Sequence, residues 1–330
     1  MKTLVEKWLV YKEFNEGRSP KTIVKYRYYL ELLIEYCESN KIDGLNVEAE
    51  RLESFVGMFL HKRKLVSQSR RTAVAAIKGF YDFLFTQGVT NANPAANLPY
   101  PASSKKMPVA MGISNFERLL NDCDLSTFLG LRDAAIIALL GGCGIRLGGL
   151  EGLNESSLTW YELEEKERLA IRVFEKRSKE RMLPVPLEAH LFLRAYLGHA
   201  DLKQINRSLP DGDKVLFVST RNYNIPEWEY YGEQRRLSSR SIQDMITARG
   251  NNAGIPANQC HPHALRHLTG TEYAEDDVDV ITRQQLLGHA DPKTTAIYTN
   301  MAMRRLTNTV DKANPLSKVS TAVTPLINRL

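Results

Sequence analysis

The stretch RDAAIIALLGGCGIRLGGL, residues 132–150, decides how this chain is read. It opens as an apolar helix and runs into a glycine-rich turn. Five glycines fall within the nine residues GGCGIRLGG, and Arg146 stands among them. Glycine lets backbone approach a ligand closely, and a guanidinium offers a planar fork to phosphate oxygens. Alone, Arg146 serves as well as a structural arginine that pairs a carboxylate across a core. The segments on either side have to choose between these readings.

Upstream, the pattern is helical and basic. The segment SPKTIVKYRYYLELLIEYC begins with Ser19 as N-cap and Pro20 at the first helical position. Ile23, Tyr26, Leu30, Leu33, Ile34 and Cys37 recur at helical spacing, and Lys21, Lys25 and Arg27 lie mostly off that stripe. A second helix is predicted from Ser67 to Gln87, with Gly88 as its stop and with Arg70, Arg71 and Lys78 on it. Shorter helices are predicted over 2–14 and 48–64. Residues 1–108 hold 17 Lys and Arg against 11 Asp and Glu, while the remainder holds 27 of each. The whole net charge of +6 therefore lies in the N-terminal third, which suits a phosphate-backbone partner as well as a merely solvated basic face.

The segment NANPAANLPYPASSKKMP, residues 91–108, carries four prolines and reads as an extended linker in which Lys105 and Lys106 could track phosphates. The expected division is a helical DNA-binding domain over 1–90, a linker over 91–108 and a larger domain over 109–330. The larger domain is mostly helical with one strand region. There RLAIRVFEKRSKERMLPVPL alternates around a polar turn as a β-hairpin with Lys176 at the start of the turn. Arg177, Lys179 and Arg181 look like an exposed charge run. LSSRSIQDMITARGNNAGI is a capped helix ending at Gly250 or Gly254. In HPHALRH, Pro262 fits a first helical position and places His263, Arg266 and His267 on one helical face. Such a cluster suits a phosphate, or equally a surface His–Arg pair. In LLGHADPKTTAIYTN, Asp291 and Pro292 can open a short helix, with His289 before it and Tyr298 within it.

Composition narrows the chemistry. Apolar residues at 43% and charged residues at 25% are ordinary for a globular chain. No apolar run is long enough for a membrane span, and charges interrupt the N-terminus too often for a secretory signal. Four scattered cysteines argue against a zinc site or a disulfide framework, and they fit a reducing cytoplasm. No nucleotide-binding glycine loop, no H-E-x-x-H and no acidic two-metal cluster is present. No cofactor and no metal are expected. A phosphate-directed site would have to work with side chains alone.

Taken together, Arg146, Lys176, His263, Arg266, His289 and Tyr298 resemble, in order and in local context, the active-site set of the tyrosine recombinases, or phage integrase family. The N-terminal third resembles that family's core-binding domain. TQGVTNANPAANLPYP resembles its usual exit into the linker, so the likeness covers nearly the whole chain. The chain looks most like the compact Xer-like members, which lack a separate arm-binding domain. The resemblance implies a mainly α fold: a SAM-like helical domain followed by a mixed α/β catalytic domain with a small antiparallel sheet. It implies site-specific cleavage and rejoining of DNA through a 3′-phosphotyrosyl intermediate and a Holliday junction, serving integration, excision or resolution of mobile or multimeric DNA. Tyr298 would be the nucleophile and Lys176 the general acid. Arg146 and Arg266 would bind the phosphate, His263 would assist deprotonation of Tyr298, and His289 would hydrogen-bond a phosphate oxygen. His267 would be a helper or a packing residue.

The partners implied are duplex DNA with paired inverted-repeat sites and a homotetramer on two sites. A heterotetramer with a second recombinase and an accessory or directionality factor are further options. The apolar tail residues Val323, Leu326 and Ile327 would dock on a neighbouring protomer, the plain alternative being a tail folded on its own domain. Two departures stand out. Gly149 occupies the position where the family usually carries an acid, with Glu151 nearby as a possible support. The aromatic-rich segment 221–237 is longer than compact members usually have, and reads as a contact for protein or DNA or as a packed surface loop. Two rival functions remain at this point: a catalytically silent recombinase-derived DNA-binding protein, and a type IB topoisomerase.

Overall fold

The computed structural model describes residues 1–102, 109–175, 179–288 and 300–327. The chain divides into two compact units, Met1–Lys106 and Met107–Leu330, each with its own core.

The first unit is helical. It contains α1 (Lys2–Phe14), α2 (Pro20–Ser39), α3 (Ala49–Ser54), α4 (Leu60–Lys62) and α5 (Ser67–Thr86), with a π turn over Phe55–Phe59 between α3 and α4. Pro20 opens α2 as predicted. Gly88, in the left-handed region at φ 67°, closes the turn after α5 by donating its N–H to the Phe85 carbonyl. Trp8, Leu30, Leu33, Phe55, Ile77, Phe80 and Tyr81 fill the core. The Tyr81 hydroxyl is satisfied there by the Gly44 carbonyl at 2.6 Å.

The stretch expected to run as a linker behaves differently in its first half. Ala95 and Leu98 are buried in the core of the first unit. Lys78 donates to the Ala96 carbonyl at 2.8 Å and Arg71 to that of Pro101 at 2.8 Å. Both cations also lie over the Tyr100 ring, at 5.0 Å for Arg71 and 5.6 Å for Lys78. The prolines exclude regular structure there, but turns satisfy the backbone and leave two apolar side chains to bury. Lys105 and Lys106 lie outside the described residues.

The second unit is built around α7 (Phe128–Gly142), which follows α6 (Ile113–Asn121). Thr127 caps α7 by accepting from the Gly130 N–H at 3.1 Å. Nearly every residue of α7 is buried, which its continuous apolar run requires. Then come α8 (Leu147–Glu151), β1 (Leu158–Leu163), β2 (Lys166–Glu175), β3 (Lys179–Pro184), α9 (Leu187–Gly198) and α10 (Ala200–Gln204). The remaining α-helices among the described residues are α11 (Ser239–Asn252), α12 (Pro262–Glu275), α13 (Val280–Leu287), α14 (Asn300–Ala313) and α15 (Thr324–Ile327). The three strands form one antiparallel sheet in the order β1-β2-β3, with Val173 opposite Arg181 and Leu163 opposite Lys166.

The hairpin read from sequence is β2–β3; β1 is an additional strand. It joins β2 through Glu164 and Glu165, both at positive φ, 55° and 63°. That backbone is ordinarily supplied by Asn or Gly, which explains why the turn is silent in the sequence. Among the described residues no helix is long and apolar enough to cross a membrane.

The described part of the tail packs on its own unit. Leu316, Val319 and Val323 are buried in the core of their own unit. The Ser320 N–H donates to Glu117 at 2.9 Å, and Lys318 bonds Glu272 at 2.7 Å and Asp276 at 2.8 Å. The apolar side chains find cover beside α7 and α9 within the single chain, so burial is met without a neighbour. The side chains of Leu326 and Ile327 lie outside the described residues.

Candidate active site

Arg146 and Arg266 come together from two elements. Arg146 is the residue before α8, half-buried and extended at φ −69°, ψ 144°. The preceding turn depends on Gly144, which sits at φ 62° with Leu287 and Thr269 so close that an added Cβ would clash. Arg266 lies one turn into α12 and is 8% exposed. Its guanidinium donates to the carbonyls of Gly144 and Leu287. The Arg146 guanidinium donates to the carbonyl of Gly288 at 2.8 Å.

Both arginines thus converge on the C-terminal end of α13, which finishes in Gly288 at φ 63°, ψ 48°. The last carbonyls of a helix have no partner within it and carry its negative dipole end, so cations belong there. Burial, with Arg146 and then Arg181 beside it, pushes the Arg266 guanidinium down to about 9, leaving it charged at neutral pH. Burial also lowers Arg146 from its ordinary value.

The start of α12 follows from HPHALRH. Pro262 is its first residue, and His261 is the cap, accepting from the Ala264 N–H on Nδ1 at 3.0 Å. His263 and His267 face solvent on the same helix. Partial burial holds His263 below the usual histidine range, with His267, His261, Arg266 and Arg146 adding repulsion of its charged form. His267 is lowered in the same way, by burial and then by Arg266 and His261. A ring kept neutral at neutral pH can accept a proton.

Lys176, His289 and Tyr298 lie outside the described residues, but the structure fixes the chain on both sides of them. Lys176 follows the last residue of β2. His289 follows Gly288, whose carbonyl holds Arg146. Beyond Tyr298, α14 is anchored on the sheet. The Tyr161 hydroxyl pairs with Thr307 at 2.8 Å, and Arg168 bonds Asp311 at 2.6 Å.

The supporting candidates fare unevenly. Gly149 is buried inside α8, and a Cβ there would meet Ile145, the Phe174 carbonyl and Val173 at 3.5–4.0 Å, ordinary contact distances. The Glu151 carboxylate accepts from the Ser239 N–H at 2.9 Å and the Ser239 hydroxyl at 2.6 Å, bracing α8 against α11. Of the expected DNA contacts, Lys21 and Lys25 are exposed. Arg27 pairs with Glu6, and Arg70 points at the Gly57 carbonyl and Ser67. Arg71 and Lys78 hold residues 96–101, as described above. In the 221–237 segment, Tyr230 is buried and bonds the Ser219 carbonyl at 2.9 Å, while Tyr223, Trp228 and Tyr231 are exposed.

Sequence reading missed Arg181. It is half-buried rather than part of an exposed run, and its Nη1 donates to the carbonyls of Gln285, at 3.4 Å, and Leu286. The signal was present: Arg181 shares strand parity with the buried Leu183 and stands opposite the buried Val173. Among the described residues no cluster of His, Cys, Asp and Glu could hold a metal, and the four cysteines are buried thiols.

Comparison with known proteins places the whole chain in a family. The phage integrase family model matches residues 111–305, and the phage integrase N-terminal SAM-like domain matches residues 5–88. The chain is 31% identical to tyrosine recombinase XerC of Shigella flexneri serotype 5b (strain 8401) over 317 residues, 96% of this chain and 97% of that one. It is 30% identical to XerC of Escherichia coli O157:H7 over the same shares. In fold it resembles the XerH site-specific recombinase bound to palindromic difH substrate, with a TM-score of 0.63 at 19% identity over 87% of this chain and 78% of that one. It also resembles a lambda integrase(75–356) dimer bound to a COC′ core site, with a TM-score of 0.60 at 14% identity over 91% and 99% of the two chains. With its SAM-like helical domain, its catalytic domain and its small three-stranded sheet, the chain belongs to the phage integrase family and is a tyrosine recombinase that carries out site-specific DNA recombination.

Proposed function

We propose that this recombinase works through Tyr298, with Arg146, Lys176, His263, Arg266 and His289 around one scissile phosphate. The observation that carries the reading is the meeting of Arg146 and Arg266 on the carbonyls of Leu287 and Gly288, directly before His289. In this reading the Tyr298 oxygen attacks phosphorus and the 5′-oxygen leaves. A 3′-phosphotyrosyl bond forms, and the phosphodiester energy is conserved without a nucleotide cofactor. The two guanidiniums stabilise the charge that builds on the non-bridging oxygens, each contributing about 10²–10³ in rate. His263, held neutral, takes the tyrosine proton, because a free phenol with a pKa of about 10 is mostly protonated at neutral pH. Lys176 protonates the 5′-oxygen, and His289 donates to a phosphate oxygen. His267 supports His263.

Duplex DNA carrying paired inverted repeats is the substrate in this reading, bound by the N-terminal unit and the catalytic unit in the cytoplasm. Lys21 and Lys25, with Lys105 and Lys106, are the proposed phosphate contacts. Assembly as a tetramer on two sites, from this chain alone or with a second recombinase, is supported by the likeness to a lambda integrase tetramer bound to a Holliday junction, a TM-score of 0.61 at 14% identity. The deciding experiment uses a nicked duplex built on the inverted repeat in the DNA flanking the gene. The wild type should trap a covalent adduct, and Tyr298→Phe should bind equally and trap none. A wild type that binds without trapping an adduct would sink the proposal.

A further inference from the structure

Arg181 has no place in the reading above, yet it completes a pattern that the two site arginines begin. Four consecutive carbonyls, from Gln285 to Gly288, are taken by three guanidiniums. Arg181 holds those of Gln285 and Leu286, Arg266 that of Leu287, and Arg146 that of Gly288. These are the orphan acceptors at the end of α13, so each bond is made to a group that helix geometry leaves open. Arg181 differs from the other two in where it is rooted. It stands on β3, opposite Val173 of β2, and Lys176 is the next residue in sequence after the end of β2. Its charge is also felt by Arg266, as the second neighbouring cation after Arg146.

We propose that Arg181 is a positioning residue for strand cleavage: it locks the hairpin that carries Lys176 to the helix end that leads into His289. The inference rests on the assignment of Lys176 and His289 to the site. A strand and a helix end that meet only through backbone have no side-chain contact to fix their register. A single guanidinium nitrogen, Nη1, reaching two successive carbonyls ties the strand to that helix end. Since Lys176 must deliver a proton to the atom whose bond breaks, while His289 reads the same phosphate, a small relative slip of the two supports lowers the rate without weakening DNA binding.

The test compares Arg181→Met, which keeps the stem and removes the donors, with Arg181→Lys, which keeps the charge. Single-turnover cleavage of the nicked duplex is measured at saturating protein, alongside DNA affinity and thermal unfolding of the full chain. The expected result for Arg181→Met is cleavage slower by about 10²-fold with affinity within about threefold, as misplacement of supports predicts. Arg181→Lys should recover part of the rate. A duplex with a sulfur-bridged 5′ leaving group, which needs no proton, should recover most of the Arg181→Met loss. Cleavage by Arg181→Met at the wild-type rate would overturn the proposal. So would a loss explained by unfolding or weak binding, or a loss that the sulfur substrate leaves untouched. Failure of the wild type to form any adduct would instead remove the underlying assignment, so the two failures are told apart.

Discussion

The ion pair between Arg168 on β2 and Asp311 on α14 is the firmest described link between the sheet and the helix that follows Tyr298, and replacing Asp311 by Ala tests what it does. The Arg168 side chain is 7% exposed and that of Asp311 26%, with the Nη2 to Oδ1 distance 2.6 Å. Burial pushes the Asp311 carboxyl up from its usual value, and the Arg168 hydrogen bond only partly pulls it back. A raised carboxyl favours the neutral acid. What protonated Asp311 contributes to stability is therefore complete below its unfolded value and is lost as pH rises through the native one. The ionised pair is thus a poor stabiliser against an apolar pair of the same shape, but a costly one to break by half. Removing one partner of a buried pair costs about 3–5 kcal/mol. The partial exposure of Asp311 argues for the lower end, about 3 kcal/mol. At about 2–4 °C per kcal/mol for a unit of this size, Asp311→Ala should lower Tm by about 6–12 °C. Arg168→Met combined with Asp311→Leu should restore most of that loss. Calorimetry on the full chain at pH 7 decides it. A drop below about 2 °C, or a double variant no better than Asp311→Ala, refutes the reasoning.

Further outcomes are expected at Gly149, at His263 and in the N-terminal unit. Gly149→Ala should raise stability by up to about 1 kcal/mol, since the Cβ fits and glycine is a poor helix residue. Gly149→Glu should fold and keep cleaving, and abolished cleavage in a well-folded Gly149→Ala would show that the glycine itself is needed. The acid limb of the cleavage-rate profile should lie below pH 6.5, because His263 is held below its ordinary value and, in its proposed role, acts as the neutral ring. The stability tied to His263 has the same sign: it is full above 6.5 and falls as pH drops through the native value. His267→Asn should move the acid limb up towards 6.5, and an unmoved limb would exclude His263 as the titrating group. Lys25→Ala should reduce the salt slope of DNA binding by about 1. Arg71→Ala should leave that slope unchanged and cost about 1–2 kcal/mol of stability, because its guanidinium is engaged with Tyr100 and Pro101.

Much of this was legible in the sequence, for reasons that can be named residue by residue. Pro20 and Pro262 mark helix starts because a fixed φ suits the first turn, and Gly88 marks a stop because it adopts positive φ. The β2–β3 hairpin was visible from its alternation. Strand β1 was not, because its turn places two glutamates in the left-handed region without a glycine or asparagine to announce it. Ala95 and Leu98 were hidden inside a proline-rich stretch whose composition says only that no helix or strand can form. The two arginines proposed for the site, Arg146 and Arg266, stood out by type and order. What they bond did not, because carbonyl oxygens are the same at every position and only the folded helix end makes four of them available. Arg181 was misread for that reason, and because its neighbours Arg177 and Lys179 make it look like one more surface charge.

The tail that folds back beside α7 and α9 is, in thermodynamic terms, a ligand tethered to its own receptor. Residues 300–327 hold on through Thr307, Asp311, Lys318, Ser320 and the buried apolar side chains of Leu306, Val310, Ala313, Leu316, Val319 and Val323. All of these contacts lie on the C-terminal side of Tyr298. A short tether supplies such a ligand at an effective concentration on the order of millimolar, far above that of a second copy free in solution. An isolated molecule therefore keeps its tail. Exchange becomes competitive only where another catalytic unit is held nearby at a comparable local concentration, as the proposed assembly of copies on one DNA would hold it. Binding to DNA would then set not only where the enzyme sits but whose tail packs beside whose α7 and α9, with no change in the strength of any single contact.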